Sequence, residues 1–263
     1  MKMNALYLGK SEEVLKDFPD YFFDLTITSP PYDNLRTYDG TLDADFPFEK
    51  IATELYRVMK SGGVVVWVVG DAVINKSESG TSFRQALFFI ELGFKLHDTM
   101  IYEKNGASFP ARRDGNRYSQ IFEYMFVLSK DKAPKTSHLI CDKPNRWVGY
   151  TSFGKANYRD KDGKKIERVM KPVPEFSPRN NIWRYNTGLN YSTKDKIAFE
   201  HPAIFPEELV RDHILSWSNE NDLVLDPFCG SGTTCKMAKL LNRKYIGIDA
   251  VEKYLEITKK RLE

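Results

Sequence analysis

The residues from Leu223 to Thr234 place an acid, two glycines and a helix start in direct succession. They read Leu-Val-Leu-Asp-Pro-Phe-Cys-Gly-Ser-Gly-Thr-Thr. Gly230 and Gly232 permit positive φ and let a ligand approach the backbone without interference from a Cβ. A second acid, Asp249, ends the β-prone run Tyr245–Asp249, where a carboxylate can accept hydrogen bonds from ribose hydroxyls. The spacing predicts a site for a nucleoside-containing ligand around Pro227–Gly232, which we call the glycine turn.

A dinucleotide cofactor is the competing interpretation of this turn. The fingerprint Gly-x-Gly-x-x-Gly is incomplete, because Cys235 stands where the third glycine belongs. No Lys stands where a phosphate-binding Walker motif requires one. These differences disfavour a nicotinamide-dependent oxidoreductase.

A second group of chemically useful residues, Ser29-Pro30-Pro31-Tyr32, follows the β-prone run Asp24–Thr28. The prolines restrict the backbone, while the Ser29 hydroxyl and the Pro30 carbonyl can accept hydrogen bonds. Tyr32 offers a face on which a base taken out of a duplex can stack. Taken alone, this segment, which we call the serine turn, favours a rigid structural turn over a catalytic site.

Together, the two turns resemble the motifs of one enzyme family. The glycine turn with its spaced second acid closely resembles the S-adenosylmethionine loop of the amino-methyltransferases, and the serine turn is similar to their catalytic motif in its serine form. The order of the motifs, catalytic first and cofactor last around a basic middle, resembles the circularly permuted β group of DNA amino-methyltransferases. The resemblance spans nearly the whole chain and is weakest through residues 130 to 200.

This resemblance implies a cofactor, S-adenosylmethionine, and the residues that bind it. Gly230 and Gly232 would border the methionine portion, Asp249 would hold the ribose, and Phe228 would lie against the adenine. The stretch Glu200–Leu209 resembles the family motif that closes over the methionine end. The remaining residues that the resemblance assigns to cofactor binding are Thr28, His201, Pro202, Phe205, Asp226 and Thr233.

The resemblance also implies methylation of an exocyclic amino group, whose lone pair is delocalised into the base. Acceptors for both amino N–H groups would localise that lone pair for in-line attack on the sulfonium methyl, with no covalent intermediate. The serine form of the motif favours N4 of cytosine in duplex DNA, reached by base flipping. Adenine-N6 methylation, RNA methylation and a non-catalytic DNA-binding role remain alternatives.

A C5-cytosine mechanism is disfavoured separately. It needs a nucleophilic cysteine, normally after a proline, and the residues that precede the three cysteines here are Ile140, Phe228 and Thr234.

One position departs from the family pattern. Relatives commonly carry Leu-x-x-Gly-Asp-Ser before the catalytic strand, with the Asp contacting the cofactor adenine, whereas Lys10 replaces that Asp here. We therefore expect the adenine to be recognised by backbone groups or by another acid, such as Glu12. Asp71, after the apolar run Val64–Val69, is a candidate for either a site acid or a helix cap.

Strands and helices alternate at both ends of the chain, which predicts one parallel α/β sheet of the S-adenosylmethionine-dependent (Rossmann-like) methyltransferase class. We expect residues 1–128 and 201–263 to form the two halves of this domain, circularly permuted. Residues 129–200 have little periodicity and predict an irregular target-recognition insertion, in which Trp183 and Tyr185 look exposed. The predicted strands are 24–28, 64–69, 96–102, 121–128, 223–226 and 245–249, and the predicted helices are 46–60, 81–92, 206–217, 233–241 and 251–262.

The net charge of +3 is unevenly distributed along the chain, and one segment is strongly basic. Between Cys141 and Lys196 there are 13 Lys/Arg against 6 Asp/Glu, which leaves the rest of the chain acidic. A local excess of positive charge favours double-stranded DNA as the partner. Arginine can pair with guanine or with phosphates, and the predicted DNA contacts are Arg112, Arg113, Arg117, Arg146, Arg179 and Arg184.

Other features of the chain bear on location and partners. We find no apolar run long enough for a membrane span and no signal peptide. Three cysteines without metal-ligand spacing fit a cytoplasmic protein, and the four histidines are too scattered to predict a metal site. A homodimer and a cognate restriction endonuclease are further candidate partners.

Overall fold

The computed structural model describes residues 2–31, 46–106, 117–151, 158–166 and 171–263. Six α-helices lie in these ranges: α1 (Ser11–Val14), α2 (Phe48–Val58), α3 (Thr81–Glu91), α4 (Glu207–Trp217), α5 (Thr233–Leu240) and α6 (Glu252–Leu262). The strands of the same ranges are β1 (Ala5–Leu8), β2 (Phe23–Thr28), β3 (Met59–Val69), β4 (Val73–Ile74), β5 (Ser77–Glu78), β6 (Phe94–Lys104), β7 (Phe122–Lys130), β8 (Lys143–Pro144), β9 (Tyr158–Arg159), β10 (Lys165–Ile166), β11 (Phe176–Ser177), β12 (Ile182–Tyr185), β13 (Leu223–Asp226) and β14 (Lys244–Asp249). None of the helices in this described part of the chain is long and apolar enough to cross a membrane.

An eight-stranded sheet organises the fold, in the order β1-β14-β13-β2-β3-β7-β6-β12. Neighbouring strands are parallel except that β7 runs antiparallel to both β3 and β6. The expectation of a wholly parallel sheet is therefore wrong at β7. The reason is local, because β6 and β7 follow one another in the chain and pair in the manner of a hairpin.

The central strand β3 is buried along its apolar run, as expected for a strand that is covered on both faces. It begins at Met59, directly after α2, so Gly62 and Gly63 lie within the strand rather than after a longer helix. A Cβ at Gly63 would lie 2.9 Å from the Lys60 carbonyl oxygen. The pairing of β2 with β3 also shifts register between Phe23 and Leu25. The glycines thus permit an irregular start to the strand.

β12 corrects the expectation that Trp183 and Tyr185 are exposed. This strand pairs parallel with the edge strand β6, and both aromatic side chains are buried. The Trp183 ring lies 4.7 Å from the ring of His213 in α4, and the Tyr185 hydroxyl donates a 2.8 Å hydrogen bond to Asp212. Alternate residues of a strand face the same side of the sheet, and here that side packs on α4.

The chain divides into two compact units, one formed by Met1–His138 with Asn181–Glu263 and the other by Leu139–Asn180. The second unit spans fewer residues than the predicted insertion 129–200. The end of β7 and all of β12 lie within that predicted range but belong to the large sheet. Within the second unit, the described residues form two short antiparallel pairs, β8 with β11 and β9 with β10.

Candidate active site

Strands β2 and β13 lie next to each other and run parallel. From β2 the chain continues through α2 to β3 on one side, whereas from β13 it continues through α5 to β14 on the other side. Open α/β sheets bind ligands at such a reversal of strand order, outside the carboxyl ends of the strands. The serine turn follows β2 and the glycine turn follows β13, so the fold brings both motifs to one edge of the sheet.

Hydrogen bonds join the two strand ends directly. The Thr28 hydroxyl donates to Asp226 Oδ1 at 2.7 Å, and the Thr234 hydroxyl donates to the Ile27 carbonyl at 3.2 Å. The backbone N–H of Phe228 also donates to Asp226 Oδ1, at 3.1 Å. Asp226 therefore connects the residue before the serine turn with the backbone of the glycine turn.

The Asp226 carboxyl group is buried. Burial raises its pKa to about 6, although the hydrogen bonds from Thr28 and the Phe228 backbone oppose that shift. A buried carboxyl group that titrates near neutral pH, in a fold position that binds ligands, is a candidate site residue.

The glycine turn has a backbone that other residues would strain. Gly230 has φ +48° and Gly232 has φ +78°, in the left-handed region that glycine adopts without cost. A Cβ at Gly230 would lie 2.8 Å from His201 Nε2, and one at Gly232 would overlap the side chain of Thr258. Both glycines are thus required by close packing as well as by backbone conformation.

Asp249, at the end of β14, lies beside the same turn. Its Oδ2 accepts the backbone N–H of Gly230 at 2.8 Å and its Oδ1 accepts that of Val251 at 2.9 Å. Burial raises the pKa of this carboxyl group, against the effect of those backbone hydrogen bonds. Each carboxylate oxygen has a further lone pair, so Asp249 keeps acceptor capacity for a ligand hydroxyl.

Phe228 is half-buried. Its ring centroid lies 5.5 Å from that of Phe46 and 6.3 Å from that of Trp67. The ring thus packs on the core while part of its surface remains exposed beside the glycine turn.

In the serine turn, Ser29 and Pro31 are half-buried and Pro30 is buried. Tyr32 lies outside the described residues.

The segment from Gly9 to Ser11 approaches the glycine turn from β1. The Gly9 N–H donates to the Asp249 carbonyl at 2.9 Å, and the Ser11 hydroxyl donates to the Pro227 carbonyl. Lys10, which replaces the family's acid, lies between these two contacts and is exposed.

The His201 ring packs edge-on against Tyr254 of α6, with the two ring centroids 4.3 Å apart. Its Nδ1 lies 2.6 Å from the Ala203 carbonyl oxygen. Pro202 is exposed and Phe205 is half-buried. Of this predicted motif, His201 is the residue that the structure places against Gly230.

The Asp71 carboxylate accepts hydrogen bonds at the start of α3. Its Oδ1 accepts the backbone N–H of Ser82 at 2.9 Å in the first turn of α3, and its Oδ2 accepts the Ser82 hydroxyl at 2.5 Å. Asp71 therefore accepts donors in the first turn of α3, whose N-cap residue is Gly80, and its role as a site acid stays a prediction.

Arg261 contacts the glycine turn, although nothing in the sequence marks it as a site residue. This residue of α6 donates from Nη1 to the Ser231 carbonyl at 2.5 Å and to the Thr233 hydroxyl at 3.1 Å. An Arg in the last turn of a basic helix is typical of a solvated surface residue, so no local signal marks its burial.

The family model described as DNA methylase (N6_N4_Mtase) matches residues 23–260. The chain belongs to this DNA methylase family. The methylase is 58% identical over 245 residues to the orphan methyltransferase M.BamHII of Bacillus amyloliquefaciens, covering 93% of this chain and 90% of that protein.

Solved structures resemble the methylase in fold. The PvuII DNA methyltransferase (cytosine-N4-specific) has a TM-score of 0.71 at 19% identity, over 98% of this chain and 86% of that one. An M1.HpyAVI–SAM complex has a TM-score of 0.61 at 26% identity, over 98% of both chains. The predicted α/β methyltransferase fold is confirmed, whereas its circular permutation stays a prediction.

The arginines that were predicted to contact DNA differ in their surroundings. In the methylase, Arg184 Nη2 lies 2.5 Å from Glu103 Oε1, and Arg179 Nη2 lies 2.5 Å from Asp142 Oδ2. Arg117 donates to the Lys76 carbonyl, and the Arg146 guanidinium lies 5.4 Å from the centroid of the Trp147 ring. Arg112 and Arg113 lie outside the described residues. The methylase acts on DNA, but the role of each arginine stays a prediction.

Proposed function

We propose that the methylase transfers the methyl group of S-adenosylmethionine to N4 of cytosine in duplex DNA. The observation that carries this proposal is the 2.7 Å hydrogen bond from Thr28 to Asp226. It joins the end of the strand that carries Ser29 to the end of the strand that carries the glycine turn. A base held at Ser29 and a cofactor held at the glycine turn would therefore meet at one edge of the sheet.

The residues around the glycine turn fit S-adenosylmethionine. Gly230 and Gly232 give the turn a left-handed backbone that packs closely on His201 and Thr258, and Asp249 keeps acceptor capacity for ribose hydroxyls. Asp226 is ionised above about pH 6, which suits a ligand with a sulfonium and an ammonium charge. An M1.HpyAVI–SAM complex, 26% identical to this chain, supports the same cofactor. When bound, it supplies an electrophilic methyl group.

Ser29 and Pro30 prepare the amino group of the target base. The Ser29 hydroxyl and the Pro30 carbonyl oxygen accept the two amino N–H groups, which localises the nitrogen lone pair. The nitrogen then forms the new bond to carbon as the sulfur–carbon bond breaks, and its surplus proton passes to solvent. The rate enhancement comes from the position of the base and from the fixed hydrogen-bond acceptors around its amino group. No covalent enzyme intermediate is needed.

The choice of cytosine rests on Ser29 itself. The serine form of the motif favours N4 of cytosine, whereas the Asp form is usual for N6 of adenine. Tyr32 would stack on the extruded base. Homodimer formation and a cognate restriction endonuclease stay predictions, and M.BamHII, which is 58% identical, is named an orphan methyltransferase.

Transfer of tritium from methyl-labelled S-adenosylmethionine tests this function. Duplex DNA of mixed sequence and a folded RNA of equal nucleotide content would be incubated in parallel with the protein. We expect label in the DNA and background counts in the RNA. Label in the RNA alone would contradict duplex DNA as the substrate. Label in neither nucleic acid would contradict methyl transfer by this protein.

A further inference from the structure

Helix α6 contacts the glycine turn through two residues of one face. Thr258 and Arg261 are three positions apart and therefore neighbours on the helix surface. The Thr258 hydroxyl donates to the Gly230 carbonyl at 2.9 Å, and Arg261 Nη1 donates to the Ser231 carbonyl at 2.5 Å. The carbonyl groups of two consecutive turn residues are thus fixed by one helix.

The other nitrogens of Arg261 bind carboxylates from a different part of the chain. Its Nε lies 3.0 Å from Asp195 Oδ2, and its Nη2 lies 2.7 Å from Glu207 Oε1. Lys236 of α5 contacts the same two carboxylates, at 2.7 and 2.8 Å. The Thr193 hydroxyl also donates to Glu207 Oε1, at 2.7 Å.

Asp195 and Glu207, the two carboxylates that bind Arg261, flank the segment that carries His201. The ring of His201 lies against Gly230 of the glycine turn. Arg261 therefore connects the glycine turn with the segment that packs over it. The Arg261 side chain is fully buried, with 0% exposed, whereas its partners Asp195 and Glu207 are 31% and 21% exposed. A planar guanidinium can make these contacts in several directions at once, whereas a Lys ammonium cannot reproduce that geometry.

We propose that Arg261 is a positioning residue for the cofactor. By holding Ser231 and Thr233, it sets the shape of the glycine turn, and through Asp195 and Glu207 it holds the His201 segment against that turn. The proposal rests on the proposed function, since it assigns the glycine turn to S-adenosylmethionine. Arg261 does not contact reacting atoms, so it governs binding of the cofactor rather than the transfer step.

Isothermal titration of the full chain with S-adenosylmethionine tests the proposal. The variants are Arg261→Met, Arg261→Lys and Thr258→Val, with Lys260→Met as the control, because Lys260 is the exposed neighbour of Arg261 on the same helix. We expect the dissociation constant to rise about tenfold or more in Arg261→Met, less in Thr258→Val, and to remain as in the wild type in Lys260→Met. Arg261→Lys should restore it only in part.

The titration separates positioning from a general loss of fold. A purely structural role would reduce the fraction of molecules that bind, seen in the stoichiometry, and leave the dissociation constant of the remainder unchanged. That result, or a dissociation constant within about twofold of wild type in both Arg261→Met and Thr258→Val, would overturn the proposal. Absence of binding by the wild type would instead contradict the proposed cofactor.

Discussion

The hydroxyl of Thr28 donates a 2.7 Å hydrogen bond to the carboxylate of Asp226, 198 positions later in the chain. Both groups are buried, and each belongs to the last residue of its strand. This contact fixes the spacing between the serine turn and the glycine turn. A substitution that moves either turn would therefore change the hydrogen bonds that Asp226 accepts.

Replacing Thr28 by Val removes the donor at nearly constant volume. The buried Asp226 carboxylate then loses a partner, which we expect to lower the free energy of unfolding by about 1–3 kcal/mol. Chemical denaturation at pH 7.5 measures the change, and Thr28→Ser, which keeps the hydroxyl, is the matched control. Equal stability of Thr28→Val and the wild type would show that the contact contributes nothing.

Ser29→Ala removes the proposed acceptor for the target amino group. We expect single-turnover methyl transfer to fall about a hundredfold, while the dissociation constant of S-adenosylmethionine stays near that of the wild type. Ser77→Ala, at an exposed serine in β5, controls for loss of a hydroxyl elsewhere. A Ser29→Ala enzyme that kept the full rate would exclude the role given to this hydroxyl.

Asp249→Ala should weaken cofactor binding first. The substitution removes the acceptor for the ribose and also leaves the Gly230 and Val251 N–H groups without their partner. We expect the dissociation constant to increase about 10- to 100-fold, with a smaller effect on the transfer rate at saturating cofactor. An unchanged dissociation constant would contradict the ribose assignment.

Cofactor affinity should depend on pH through Asp226. Burial raises the pKa of this carboxyl group to about 6, so below that pH a proton must leave before the carboxylate can interact with a positive ligand. Affinity for S-adenosylmethionine should therefore be constant above about pH 7 and fall as pH decreases through 6, by at most about tenfold per pH unit.

The variant Asp226→Asn isolates this group from Asp249, whose pKa is raised by burial as well. In Asp226→Asn the dependence between pH 5 and 7 should largely disappear. Titrations of both proteins across that range measure the effect. A wild-type affinity that did not change from pH 7 to pH 5 would contradict ionisation of Asp226 as a requirement for binding.

Strands and helices with a strong local sequence signal have the bounds that the sequence predicts, or nearly so. The strand Leu223–Asp226 has the predicted bounds, and the helices on either side of it differ from prediction by one residue at one end. A four-residue strand such as β12 carries too short an alternation to be recognised, and its partner β6 lies about eighty positions earlier. The sequence therefore does not indicate that Trp183 and Tyr185 are buried.

Residues of the site, like the elements of the fold, can be predicted from sequence only where they carry a local signal. The two turns could be found from sequence because glycine, proline and acidic residues carry local backbone and chemical constraints. Arg261 could not, because its burial depends on Asp195 and Glu207, which are 66 and 54 positions away. Long-range ion pairs leave no periodic pattern in the sequence around either partner.

Mass spectrometry of nucleosides identifies the base that the methylase modifies. Unmethylated duplex DNA would be incubated with the protein and S-adenosylmethionine, digested to nucleosides and compared with DNA treated with Ser29→Ala. We expect N4-methyl-2′-deoxycytidine in the wild-type reaction and little in the variant. N6-methyl-2′-deoxyadenosine as the product would contradict the assignment of cytosine, and the absence of any methylated nucleoside would contradict the active site built from the serine and glycine turns.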